Sequence, residues 1–85
     1  MRLRLTAHAR ERIEARGVKT EWIEAAVSHP DRTEPDPKDP DLVRYFKTLP
    51  EFNGRVLRVV SRQESGGYTI VTAFFDRGER RSRRE

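Results

Sequence analysis

Cysteine is missing from this 85-residue chain, so neither a disulfide framework nor a thiolate metal site can be built from it. No run of 18 apolar residues occurs, which removes a helical membrane span from the options. The opening residues Met1 to Leu5 are too few and too charged for a secretory leader, so a cytoplasmic location is expected. There is no glycine-rich phosphate loop, no His-Glu-x-x-His and no Gly-x-Ser-x-Gly, and the commonest signatures of nucleotide hydrolysis, zinc proteolysis and serine esterases go with them. Asp31, Asp36, Asp39 and Asp41 lack the glycine and the spacing of a calcium loop. Zinc lacks ligands altogether. Neither a metal nor a cofactor is expected.

Apolar residues are also scarce, at 34% of the chain against 38% charged. A chain of this length buries only about 60 to 65% of its unfolded surface, so it has one thin core and a single domain, and a homodimer is one way to add to its stability. Lysine is the last scarcity: Lys19, Lys38 and Lys47 are the only three among 18 basic residues, and the other 15 are arginine. Arginine offers phosphate a planar, bidentate fork that lysine cannot, so the bias points towards nucleic acid. A genome rich in G and C or adapted to heat gives the same bias without any phosphate.

The charge is arranged by position. Residues 1–20 carry six basic and two acidic groups, residues 21–41 two and seven, and residues 42–85 ten and five. The acidic middle therefore either neutralises part of the basic surface or is held away from what that surface attracts.

Thr6 precedes Ala-His-Ala-Arg-Glu-Arg-Ile-Glu-Ala-Arg and Gly17 follows, which predicts a capped helix with a glycine stop. A second helix is expected from a Thr20 cap to about Ser28, with Trp22, Ile23, Ala26 and Val27 on one face and Pro30 ending it. Residues 30–41 hold four prolines and five acids, a composition suited to a loop or a poor edge strand. Three strand-like runs follow, Leu42 to Leu49, Arg55 to Gln63 and Tyr68 to Phe75, joined by Asn53-Gly54 and by Glu64-Ser65-Gly66-Gly67. Short connections make them an antiparallel meander. The expected fold is α+β, with two N-terminal helices packed on a three- to four-stranded antiparallel sheet over residues 1–76. Residues 77–85 are expected to form a disordered basic tail.

His8, Arg12 and Arg16 recur every four residues and share one helical stripe. Arg12 and Arg16 have no acid three or four residues away within the helix, so they either pair with the acidic segment, point into water, or face phosphate. His8 lies in the first turn, where the dipole and the neighbouring arginines favour neutral imidazole, a form able to act as a base. A structural histidine is the competing reading, and His29 is given no role. Strand alternation puts Arg58 and Arg62 on one face with Val56 and Val60, opposite Leu57 and Val59, so Arg58 is expected away from the main core. Tyr45 and Lys47 share a face with Val43, and Arg44 shares the other with Leu42 and Phe46. The pattern does not decide which of these two faces is core.

The pattern His8-Ala9-x-x-Arg12-x-x-x-Arg16-Gly17-Val18, then Glu24 to Val27, His29-Pro30-Asp31, Arg44-Tyr45-x-Lys47, Leu57-Arg58-Val59-Val60 and Val71-Thr72-Ala73-Phe74 resembles the bacterial family called domain of unknown function 4258. The resemblance runs from about Leu3 to Asp76. That family is similar in turn to the ribonuclease-fold toxins of toxin-antitoxin pairs, which implies metal-independent RNA cleavage and an acidic, antitoxin-like partner. Such cleavage needs a base for the 2′-hydroxyl, cations at the phosphorane and an acid for the leaving oxygen. The resemblance then implies His8 as base or acid, Tyr45 as the second proton carrier, and Arg12, Lys47 and Arg58 at the phosphate. Arg16, Arg44 and Arg62 complete the cationic set expected to touch RNA. The acidic, proline-rich residues 31–41 depart from the toxin pattern. A non-catalytic module that binds protein or nucleic acid with the same fold is the alternative.

Overall fold

Thr6 does cap the first helix. In the computed structural model, which describes residues 3–64 and 66–76, α1 spans Ala7–Arg16 and the Thr6 hydroxyl accepts from the Ala9 N–H at 3.0 Å. Gly17 closes the helix at φ 70°, a left-handed conformation that costs glycine no Cβ clash. Its N–H donates to Glu14, and the Val18 N–H donates to Ile13. The second helix, α2, spans Thr20–Ser28, but its cap differs from the expectation. Lys19 occupies the N-cap without a side-chain bond, and Thr20 is already helical. The expected basic tail lies outside the described residues.

Five strands form one sheet in the order β1-β5-β4-β3-β2. β1 is Leu3–Leu5, β2 Arg32–Pro35, β3 Leu42–Leu49, β4 Arg55–Glu64 and β5 Gly67–Phe75. The three long strands pair antiparallel, as their short connections require. Asn53 and Gly54 turn the chain between β3 and β4 at φ 60° and 69°, a region this pair enters at low cost. The sheet is not wholly antiparallel. β1 pairs parallel with β5, setting Leu3 opposite Tyr68 and Leu5 opposite Ile70. Three residues give too short a run to read as a strand, and the parallel pairing arises because α1 and α2 intervene before the chain returns to the sheet. The acidic segment supplies the opposite edge as β2, whose Pro35 has no N–H to offer a further strand.

Both helices cover one face, α1 over β5 and β1, and α2 over β3 and β4. Between them and the sheet lie Ala9, Ile13, Trp22, Ile23, Ala26, Val27, Tyr45, Leu49, Leu57, Val59, Ile70 and Ala73. This settles the face left open in β3: Tyr45 and Leu49 point into the core. Trp22, Phe52 and Phe75 close one end of it, with ring centroids 4.9 to 5.9 Å apart. Among the described residues no helix is long and apolar enough to cross a membrane.

Candidate functional site

The sheet face without helices carries Arg32, Arg44, Arg58 and Arg62, whereas Arg55 lies against Phe52 and Phe75 on the helix side. A row of neighbours runs across the helix-free face as Arg32, Phe46, Arg58 and Phe74, one residue from each of β2, β3, β4 and β5. Alternating guanidinium and ring is a stable order, because the negative face of each ring attracts the cation beside it. Arg32 stands 4.2 Å from the Phe46 centroid, and Arg58 stands 5.5 Å from Phe46 and 5.0 Å from Phe74. Arg16, at the end of α1, reaches the same row from outside the sheet. It lies 5.7 Å from the Phe74 centroid while its Nη1 donates to the Ala73 carbonyl at 3.0 Å. Phe46, Val56 and Val60 are buried on this face, although no helix covers it. Over Phe46 the side chains of Arg32 and Arg58 provide the cover, apolar along their length and charged at the tip.

Acid is distributed unevenly over the face. Arg32 pairs with Glu34 at 3.0 Å. Arg44 lies 3.5 Å from Glu34 and 3.6 Å from Asp36, and Arg62 lies 3.9 Å from Asp39 and 3.8 Å from Asp41. The acidic segment thus serves the sheet arginines on the β2 side, and not Arg12 and Arg16 as one sequence reading had it. Asp36 also accepts the N–H groups of Lys38 and Asp39, at 2.8 and 3.1 Å. The Lys38 bond, against the opposing effect of burial and helped by the Asp39 bond and the nearby Arg44 charge, holds its carboxyl below the usual aspartate range. In the middle of the face, Arg58 donates through both Nε and Nη2 to one oxygen of Asp76.

The α1 side differs. His8 and Arg12 are exposed, and among the described residues no side-chain hydrogen bond or ion pair engages either. Their stripe continues through Arg16 onto Phe74 and Arg58.

Tyr45 and Lys47 lie elsewhere. Tyr45 is 7% exposed within the core and meets Tyr68 edge-on at 6.2 Å. Burial, and secondarily Tyr68, raises its phenol above the ordinary value. Lys47 donates to the His29 carbonyl at 2.8 Å, capping the end of α2. The eight residues singled out by sequence therefore occupy three places: His8, Arg12 and Arg16 along α1, Arg44, Arg58 and Arg62 on the open face, and Tyr45 and Lys47 on the helix side. Only Arg16 joins the first two. Phe46, Phe74 and Asp76 were not singled out. Strand register, which sets Phe46 and Phe74 on either side of Arg58, is the signal that finds the two rings.

A family model described as Domain of unknown function (DUF4258) matches residues 5–75. No curated protein and no solved structure matches the chain.

Proposed function

The chain belongs to the family described as Domain of unknown function (DUF4258), and on that premise we propose that it is a toxin-like RNA-binding protein whose contact surface runs from His8, Arg12 and Arg16 of α1 onto Phe74 and Arg58. One observation carries the reading: apart from Asp76, which pairs with Arg58, the acids that pair with arginines of the open face gather on the β2 side, and among the described residues no acid pairs with Arg12 or Arg16. Arg12 and Arg16 stand one turn apart, about 6 Å along the helix axis, within the reach of successive phosphates of a flexible strand. Guanidinium planes and phenyl rings stack on unpaired bases without regard to sequence, and single-stranded RNA is the nucleic acid that presents such bases. Metal-independent cleavage is the finer form of the proposal. It places proton transfer on His8, the exposed imidazole of that flank.

Binding without cleavage is the second reading. It is favoured by Tyr45, whose phenol is buried on the other side of the sheet from Arg58, and by Lys47, whose ammonium is engaged at the end of α2. Incubating the protein with RNA in EDTA separates the two. Cleavage by wild type that disappears in His8→Ala, with RNA binding retained, supports the enzyme. Binding without cleavage by clean wild-type protein leaves the module, and absence of both removes the RNA reading.

A further inference from the structure

The ion pairs of the open face fall into two kinds. Arg58 and Asp76 make two charge-assisted bonds, the nitrogen Nε at 3.0 Å and Nη2 closer still, between side chains only 23% and 12% exposed. Arg44 and Arg62 have two carboxylates each, yet every one of those four contacts is between 3.5 and 3.9 Å. A charge-assisted N–H···O bond is about 2.7 to 2.9 Å long, so these carboxylates neutralise the two guanidinium groups without saturating their donors. Arg44 Nε is buried and has no hydrogen-bond partner. Arg62 is 42% exposed, and its carboxylates on Asp39 and Asp41 are 41% and 77% exposed, open to water and salt.

The loop that carries these acids is held by contacts of its own. Asp36 accepts from the Lys38 and Asp39 N–H groups, Asp39 from the Asp41 N–H at 3.0 Å, and the Leu42 N–H donates to the Asp39 carbonyl at 3.0 Å. None of these bonds needs Arg62. The two arginines also belong together, since Arg44 sits opposite Val60 and Arg62 two residues further along the same strand.

From this contrast we propose that Arg44 and Arg62 form a latent second site for a phosphate chain, and that Asp39 and Asp41 occupy its Arg62 end as internal competitors, while Glu34 and Asp36 stand beside Arg44. The proposal deepens the RNA reading and rests on it for the identity of the ligand. A phosphodiester or an internal polyphosphate unit brings two charged oxygens to a fork at bonding distance, where the carboxylates of the loop stand too far away to bond. Displacing the exposed pairs at Arg62 removes little, because solvent-exposed ion pairs are weak and screened by salt. The α1 flank and this site then bound the open face on two sides, and the acidic loop decides whether a strand crosses from one to the other.

The test is a double neutralisation, Asp39→Asn with Asp41→Asn, in the full chain. Asparagine keeps the Oδ1 acceptor that Asp39 gives to the Asp41 N–H, so the loop retains its turn. Affinity for a fluorescent oligouridylate and for inorganic polyphosphate is read by anisotropy and competition across a salt series. The expected result is binding about tenfold tighter than wild type, with a salt dependence steeper by about 0.7 for each phosphate gained on the single strand. The gain disappears when Arg62→Ala is added. Glu21→Gln with Glu24→Gln raises the net charge equally from α2 and gives a smaller gain. Unchanged affinity for both polyanions overturns the proposal, as does a gain that survives Arg62→Ala or is matched by the α2 control. Failure of the RNA reading has a different signature, in which wild type ignores oligouridylate while the polyphosphate arm still decides the latent site.

Discussion

Replacing Arg58 by alanine removes the centre of the open face. Two charge-assisted bonds to Asp76 are lost, and the remaining carboxylate is only 12% exposed. A hydrogen bond to a charged group contributes about 1.5 to 3 kcal/mol, and we take about 1.5 kcal/mol for the two together, because both end on one Asp76 oxygen and Arg58 retains 23% exposure. The contacts with Phe46 and Phe74 add about 0.5 kcal/mol each. Uncovering Phe46, now 3% exposed, brings the loss to about 3 kcal/mol. In a domain of this size 1 kcal/mol shifts the melting temperature by about 4 to 8 °C, so Arg58→Ala is expected to melt about 12 to 24 °C below wild type. Circular dichroism melts at pH 7 measure it. Arg58→Lys, which keeps a stem over the rings but not the fork, falls between the two. If Arg58→Ala melts within about 3 °C of wild type, the claim that this pair and its rings hold the face together is wrong.

Three further outcomes follow from the same contacts. Ile23 is fully buried between α2 and the sheet, so Ile23→Ala is expected to lose about 2 to 5 kcal/mol in urea denaturation, whereas exposed Arg12→Ala stays within about 0.5 kcal/mol. Asp36 has a lowered pKa, so the stability it contributes is present above the unfolded aspartate value, about 3.9, and is lost as the pH falls through its lower folded value. Acid titration of Asp36→Asn is expected to show a shallower loss over that window than wild type. Tyr45 has a raised pKa, so its contribution is whole below the unfolded tyrosine value, about 10, and is lost as the pH rises from there through the folded value. Tyr45→Phe should flatten the alkaline arm of the stability curve, and an unchanged arm contradicts the burial argument.

Much of the framework was legible because it rests on local rules. Thr6 and Gly17 bracket α1 with the hydroxyl and the left-handed turn that helix ends require. The Trp22, Ile23, Ala26, Val27 stripe marks the buried face of α2, and alternation in β4 separated Arg58 from Leu57 and Val59. What escaped depends on pairing across long stretches of chain. Leu3–Leu5 becomes a strand only because β5 returns beside it, whereas Arg32–Pro35 takes the edge-strand form that its composition had left open beside a loop. The open face of β3 could not be assigned until the helices were placed over Tyr45. The candidate site was harder still, because the stripe on α1 was visible from its spacing while the rings of Phe46 and Phe74 beside Arg58 are set by register. The acidic segment was visible as composition. Its choice of Arg44 and Arg62 over Arg12 was not, since it follows from β2 lying at the edge farthest from β1 and β5, over which α1 packs.

The central claim is that the α1 flank carries the contact with RNA. The most direct measurement is the salt dependence of single-stranded RNA binding by wild type and by Arg12→Ala with Arg16→Ala, both checked for native melting. Two lost phosphate contacts should weaken binding and make the slope of log K against log salt shallower by about 1.4. Equal slopes and affinities in the two proteins contradict the account.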